Sequence, residues 1–426
     1  MLEAILDIRN VEKALKQVTA NKGAGGVDGM KAEDLRGYLH TNWQTLKESV
    51  LSGTYKPQPV KKVEIPKPGG GARMLGIPTV TDRLLQQAIA QWLTPSYEEC
   101  FSKYSYGFRE GRNAHQAVLQ AQQHLGAGYE WIIELDLEKF FDRVNHDRLM
   151  GLLSKTITDK GTLKLIRSYL TSGIMEGGLV SPRTEGTPQG SPLSPLLSNI
   201  VLNELDKELA VRGHHYVRYA DDCSIYVRSE KSAMRVMETV TEYIEKILKL
   251  KVNRTKSKVS RPEECTLLGF CFERSAKGWE IRIASKSLKR IKEKMRAHTK
   301  RSDPSGAKDK IKKMEAVITG WVNYFKIAAA KAKSDMQRLD EFVRTRLRMG
   351  IWKQWKLPKT KISNLQKLGL KGSSAYTYGK SRKGCCRVAH SPILSRTLNN
   401  TYFTELRYIG FVKYYYWKTE HQLKLF

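Results

Sequence analysis

The alternation of apolar and polar positions divides the chain into short strands and amphipathic helices. Two β-branched and aromatic runs, His215-Tyr216-Val217-Arg218-Tyr219 and Cys223-Ser224-Ile225-Tyr226-Val227, flank Ala220-Asp221-Asp222. This pattern predicts a hairpin with its polar residues at the tip. A second apolar run begins at Trp131, stops on Asp136 and gives way to a helix-like stretch through Phe140, Phe141 and Asp142. Residues 1–20 put Ile5, Ile8, Val11, Leu15 and Val18 on one helical face, and a further helix runs to about Leu51 before Pro57 and Pro59 break the pattern. Residues 63–78 read as two short strands about a Pro-Gly turn, with Lys67 and Arg73 on the hairpin. Thr81-Asp82-Arg83 caps a helix through about Leu93. A Gly/Pro loop at residues 186–192 opens into a helix through Leu205, and residues 232–250 form another. Lys251 to Val259 then leads to a strand at Leu267-Leu268-Gly269-Phe270.

Three more helices fit the following periodicity: Leu288/Ile291/Met295, Ile311/Met314/Ile318/Trp321/Phe325 and Leu339/Val343/Leu347/Ile351. Leu357-Pro358-Lys359-Thr360 has the composition of a linker. The tail is basic at residues 380–384 and ends in aromatics that include Tyr402, Phe403, Tyr408, Phe411 and Tyr414 to Trp417. Those aromatics suit either a small hydrophobic core or stacking on single strands.

Charge changes the picture most. The 426 residues carry a formal net charge of +31, and residues 286–359 alone hold 22 basic and 7 acidic side chains. Such a balance implies a polyanionic partner, because each cation placed on a phosphate displaces a condensed counterion. Hydrophobic content of 40% is that of a globular protein with a substantial core. No apolar run approaches membrane-spanning length, the first residues lack a secretory pattern, and no CxxC pair occurs among the six cysteines. Reduced thiols, no structural zinc and a cytoplasmic setting are the expectation.

Adjacent aspartates at a turn are often mere turn formers. Two strands that each end on carboxylates, however, can gather Asp136, Asp221 and Asp222 around a pair of Mg2+ ions, roughly 3.5–4 Å apart in two-metal phosphoryl-transfer sites. Lys67 and Arg73 suit a triphosphate, or form an ordinary solvated basic turn. The loop at residues 21–29 has neither Walker spacing nor GxGxxG, so its glycines either meet a backbone phosphate or simply make a loop. Tyr104 to Arg109 reads equally as a template support or as a core aromatic pair with one exposed Arg. An aromatic at Phe140 or Phe141 packs into the core or lies under a sugar, excluding a 2′-hydroxyl, and Gln189 offers a neutral donor and acceptor to sugar or base. A lysine near residue 256 could protonate a leaving pyrophosphate.

Together these stretches resemble the reverse transcriptases, or maturases, encoded by mobile bacterial group II introns. The resemblance spans nearly the whole chain and is most specific at Tyr219-Ala220-Asp221-Asp222, Thr187-Pro188-Gln189-Gly190 and Gly320-Trp321-Val322-Asn323-Tyr324-Phe325. It implies an α/β (α+β) right-hand polymerase fold: an N-terminal extension over residues 1–57, fingers and palm over 58–284, a three-helix thumb that doubles as the maturase domain over 285–356, and a DNA-binding domain over 357–426. It also implies RNA-directed DNA synthesis with two Mg2+ ions, Mn2+ being a substitute, held by Asp136, Asp221, Asp222 and the Leu137 carbonyl. Lys67 and Arg73 would grip the triphosphate, Phe141 would select deoxyribonucleotides and Gln189 would lie beside the incoming sugar. Lys256 would be the proton donor, with Lys258 close by, and Arg109 and Gly269 would lie on the template–primer side. The implied partners are intron RNA, an RNA template with a DNA or RNA primer, dNTPs and target DNA, in a cytoplasmic, nucleoid-associated setting with no membrane. Ser191 stands where many relatives have a second glycine. The chain end lacks the His and paired-Cys pattern of an HNH endonuclease, which points to the endonuclease-less, group IIC-like branch. Related bacterial reverse transcriptases of phage defence or diversity generation, a splicing-only RNA-binding cofactor and an RNA-dependent RNA polymerase are the alternatives; Phe141 disfavours the last.

Overall fold

The computed structural model describes residues 1–66, 71–329 and 331–423, with side chains through Trp417. It divides into two compact units, Met1–Arg261 and Pro262–Phe426.

In the first unit a four-stranded antiparallel sheet is ordered β6 (His215–Tyr219), β7 (Asp222–Val227), β3 (Trp131–Leu135), β8 (Lys258–Ser260). Its central strands are apolar: Ile132, Ile133 and Ile225 are fully buried, as expected of β-branched residues covered on both faces. A second sheet is ordered β2 (Ala72–Ile77), β1 (Val60–Pro66), β4 (Ile174–Glu176), β5 (Leu179–Ser181), with β1 and β2 antiparallel and β1 and β4 parallel. Helices Ile8–Ala20, Val80–Glu98 and Ser194–Val211 share the core with the strands of the first sheet. The first buries Val11, Ala14, Leu15 and Val18 on one face, close to the face read from its periodicity. Helix Val80–Glu98 is capped by Thr79, whose hydroxyl accepts from the Asp82 amide, two residues earlier than the sequence reading at Thr81. Asp82 is instead buried, accepting from the Tyr55 hydroxyl at 2.7 Å.

The second unit opens with the hairpin β9 (Phe270–Ser275) and β10 (Gly278–Ile283), followed by helices Ser285–His298, Ala307–Phe325 and Ala332–Gln354. The apolar stripes foreseen for these helices are buried at Ile291, Met295, Ile311, Met314, Ile318, Phe325, Leu339, Val343, Leu347 and Ile351. Two expectations need correction. Leu267-Leu268-Gly269 is a turn and not a strand: Leu268 (φ +52°) and Gly269 (φ +86°) are left-handed, and the Gly269 carbonyl accepts from the Ala284 amide at 3.0 Å and the Ser287 hydroxyl at 2.9 Å. Residues 358–367 are helix, not linker, since Pro358 occupies the first turn, where its missing N–H is no loss. Three of the tail aromatics form a core: Phe403 and Phe411 are buried, and Tyr408 donates to the buried Asp340 carboxylate at 2.8 Å, which also accepts from the Phe411 and Val412 amides, whereas Trp417 is exposed.

Candidate active site

The β3–β7 register pairs Leu135 with Cys223, so its continuation sets Asp136, one residue beyond β3, opposite Asp222, the first residue of β7. β6 and β7 are joined by only Ala220 and Asp221, a two-residue hairpin with Ala220 at φ +56°. A tight turn and one strand end therefore bring three acids from two distant parts of the sequence to one end of the sheet's central strands.

Their charges interact. The Asp222 carboxyl is pushed up to about 6 by the surrounding protein mass, then by Asp221 and Asp136, while Lys256 pulls it down. Asp221 is also raised, by burial first and then by Asp136, against the pull of Arg73 and Arg218. Among the described residues no set of three His, Cys, Asp or Glu side chains is closed tightly enough to ligate an ion as it stands. The acids share a field, and the oxygen donor set suits a hard divalent cation in kind and charge.

The segment after Lys251 runs beside Asp136. The Asn253 amide donates to the Asp136 carbonyl at 2.8 Å, the Glu138 amide donates to the Lys251 carbonyl at 2.8 Å, and Leu137 bridges to Val252. This lays Lys256 Nζ 3.4 Å from Asp136 Oδ2, whereas Lys258 pairs with Glu134 at 3.2 Å. Of the two lysines weighed from the sequence, Lys256 is the one at the acids.

Phe140 is buried and Phe141 half-buried against it, edge to face at 5.3 Å. The Thr187-Pro188-Gln189-Gly190 loop is stitched to this turn: the Thr187 amide donates to the Phe141 carbonyl at 2.6 Å and the Gly186 amide to the Val144 carbonyl at 2.7 Å. Gly186 has φ +85°, and a Cβ there would lie 2.8 Å from the Asp142 backbone, so only glycine allows the approach. The Gln189 carbonyl accepts from the Gly76 amide at 2.9 Å, joining the loop to β2. Ser191 donates from its hydroxyl to Gln86. Arg73 is exposed on β2 and its charge is felt at Asp221, while Lys67 lies outside the described residues. A cavity of ≈490 Å³ adjoins this region, with Lys62, Met74, Lys139, Arg183 and Gln189 in its wall.

One expectation fails. The Arg109 guanidinium does not face outward toward a template: it is buried, bonded to Glu98 Oε2 at 2.6 and 2.8 Å and to the Ser102 and Ser105 carbonyls at 2.6 and 2.8 Å. Glu98 ends the preceding helix, and a partly buried carboxylate there draws the guanidinium inward. Gly269 sits in the turn before β9, in the second unit, its carbonyl accepting from the Ala284 amide and the Ser287 hydroxyl at the start of helix Ser285–His298.

Sequence reasoning missed Arg218, Asp206 and Asn199. Arg218 and Asp206 are 0% exposed and joined by two bonds of 2.6 and 2.8 Å, a pair set beside the acidic turn. An arginine in the middle of an otherwise apolar strand was the available signal, since such a charge must find a partner once buried.

Comparison with known proteins gives the class first. Residues 65–272 match the reverse transcriptase (RNA-dependent DNA polymerase) family, and residues 288–369 match the group II intron maturase-specific domain. The chain is 33% identical over 312 residues to Protein YkfC of Escherichia coli, covering 64% of this chain and 81% of that protein. It is 38% identical over 195 residues to the group II intron-encoded protein LtrA of Lactococcus lactis subsp. cremoris, covering 46% of this chain and 32% of LtrA. A solved chain from a partial Cas6-RT-Cas1–Cas2 complex is 26% identical with a TM-score of 0.37, covering 57% of this chain and 42% of that one. The chain belongs to the group II intron reverse transcriptase/maturase family. It carries a polymerase domain of α/β type, of a class that uses divalent metal and acts on nucleic acid. No helix among the described residues is long and apolar enough to cross a membrane.

Proposed function

We propose that the chain is an RNA-directed DNA polymerase that binds its own group II intron RNA, assists its splicing and copies it into target DNA during retrohoming. The observation that supports this most is the meeting of Asp136, Asp221 and Asp222 at one end of the sheet's central strands, where Asp136 raises the cost of ionising Asp221 and Asp222. A splicing-only protein has no use for such repulsion beside a polyanionic partner.

Asp136, Asp221, Asp222 and the Leu137 carbonyl would hold two Mg2+ ions, or Mn2+ in their place. Bound there, the metal would lower the cost of charge on the primer oxygen and the α-phosphate. Around it, Arg73 and Lys67 would hold the triphosphate, the guanidinium forking across two oxygens and the ammonium acting as a point charge. Phe141 would close the space a 2′-hydroxyl needs, and Gln189 would lie beside the sugar. Lys256 would deliver its proton to the leaving pyrophosphate. Residues 1–57 would form the extension, 58–284 the fingers and palm, 285–356 the thumb and maturase surface, and 357–426 the DNA-binding part, with Gly269 on the primer side.

Primer extension on an RNA template, run beside splicing of the flanking intron, tests the reading. Asp136→Ala or Asp222→Ala should abolish extension and leave RNA binding nearly intact, and extension at wild-type rate by either variant would overturn it. Phe141→Ala should admit ribonucleotides.

A further inference from the structure

The turn that carries Asp221 and Asp222 is held by a guanidinium that touches neither of them. Arg218 is wholly buried in β6. Its Nε and Nη2 donate to the two carboxylate oxygens of Asp206 at 2.8 and 2.6 Å. Its Nη1 donates to Asn199 Oδ1 at 3.1 Å and to the Ala220 carbonyl at 2.9 Å. Asp206 and Asn199 lie seven residues apart on helix Ser194–Val211, so one helical face receives the whole fork. Asn199 continues the chain of bonds, donating to the Gly107 carbonyl at 2.9 Å.

The strand around Arg218 is gripped on its other side. The Arg218 amide donates to the Tyr104 carbonyl at 2.9 Å, and the Tyr106 amide donates to the Arg218 carbonyl at 2.8 Å. Gly107 lies so close that a Cβ there would collide with the Ala220 nitrogen. Between these two clamps Ala220 is kept at φ +56°, a conformation an alanine leaves when nothing holds it. Its carbonyl belongs to the peptide that carries the Asp221 nitrogen, so fixing that oxygen fixes the plane from which both aspartates project.

A buried ion pair is weak evidence of a stabilising role, because taking both charges from water offsets much of their attraction. Its geometric consequence here is specific, since only a planar fork reaches Asp206, Asn199 and Ala220 together. We propose that Arg218, with Asp206 and Asn199, is a positioning residue of the polymerase: it holds the strained turn that aims Asp221 and Asp222 at the metal site. This deepens the proposed function and rests on it.

The test uses the full chain and two readouts, Mn2+ binding followed by electron paramagnetic resonance without nucleotide, and single-turnover primer extension. Arg218→Lys keeps the charge and loses the fork, and Asn199→Ala removes one tie while leaving the ion pair. Both should weaken Mn2+ binding by roughly 10–100-fold, the loss typical of removing a group that orients a metal ligand. The extension rate should fall in step, with KM for dNTP and primer–template affinity held within about twofold of wild type. Ala220→Gly, which relaxes the turn without removing any of these side-chain bonds, should weaken Mn2+ binding in the same direction while the melting temperature stays level or rises. Variants that melt like wild type and bind Mn2+ like wild type would overturn the proposal. So would a loss of Mn2+ affinity that only tracks falling melting temperature, with Ala220→Gly unaffected. A wild-type chain whose Mn2+ binding is lost in Asp222→Asn, but which extends no primer, would instead sink the polymerase reading and leave the positioning role intact.

Discussion

Lys256 holds its ammonium 3.4 Å from the Asp136 carboxylate, although the two residues are 120 positions apart. The contact is set by backbone, since the Lys256 amide donates to the Asn253 carbonyl at 3.2 Å and the Asn253 amide to the Asp136 carbonyl at 2.8 Å. A cation there has two possible tasks, to balance the acids or to deliver a proton, and they separate by experiment. Lys256→Met should cut the single-turnover extension rate by roughly 100-fold or more, the range of a lost general acid. Mg2+ affinity should stay level or tighten, because a competing cation has gone. An unchanged rate with tighter Mg2+ binding would reduce Lys256 to a counter-ion.

Asp222 makes the metal-free chain pay for its chemistry. The carboxyl is raised to about 6, so the folded chain holds that proton more tightly than the unfolded one. For a raised acid, stability present at low pH is lost as pH climbs from about 4 through 6. At neutral pH Asp222→Asn should therefore raise the melting temperature without divalent metal. The gain is about 1 kcal/mol once solvent screening of the open carboxylate is allowed for. Mg2+ should raise the wild-type midpoint and leave the variant's nearly fixed. Thermal melts with and without Mg2+ decide it, and a variant less stable than wild type would show that repulsion is not what sets this site.

Much of this arrangement was legible because the informative signals are local. Ile132, Ile133, Ile225 and Val227 mark strands by composition, and Asp136 and Asp221 stand where those strands stop. Strand ends in one sheet are neighbours, so convergence followed from pattern. Burial of cations was not legible. Whether Arg109 meets solvent depends on Glu98, 11 residues earlier on another element, and whether Arg218 is paired depends on where helix Ser194–Val211 docks. Pro358 and Gly269 misled for another reason: proline starts helices as readily as it ends them, and glycine after Leu268 closes a turn before β9.

The inward turn of Arg109 has a measurable consequence. Its guanidinium is 4% exposed and joined to Glu98 at 2.6 Å, so Arg109→Ala strands a half-buried carboxylate and two backbone carbonyls. Breaking a buried pair on one side costs about 3–5 kcal/mol. Urea denaturation should register that loss. Template–primer affinity, measured where the variant remains folded, should change by less than about twofold, since the guanidinium is turned inward onto Glu98 and two carbonyls. A variant of wild-type stability that has lost template affinity would restore the direct contact.

His124 ties stability to pH from behind the same strands. Its ring is 5% exposed and packs on Tyr104 at 5.6 Å, His215 at 5.1 Å and Tyr226 at 5.2 Å. Burial, and then the charge of His215, push its pKa down to about 4. For a depressed base the unfolded chain takes up the proton first, so stability is full above about 6.5 and falls as pH drops toward 4. A shift of that size is worth about 3 kcal/mol over the window. Burial lowers His146 and His214 as well, so they contribute slopes of the same sign. Replacing His124 with Gln should therefore shrink, without abolishing, the loss in urea midpoint between pH 7 and pH 4.5. Because the Tyr104 carbonyl holds the Arg218 amide, protonation at His124 should also loosen the metal-bearing hairpin before the chain unfolds globally. Between pH 7 and pH 4 the protection of the Arg218 amide against hydrogen exchange, corrected for the intrinsic rate, should fall in wild type and stay level in His124→Gln; equal protection in the two would confine His124 to global stability.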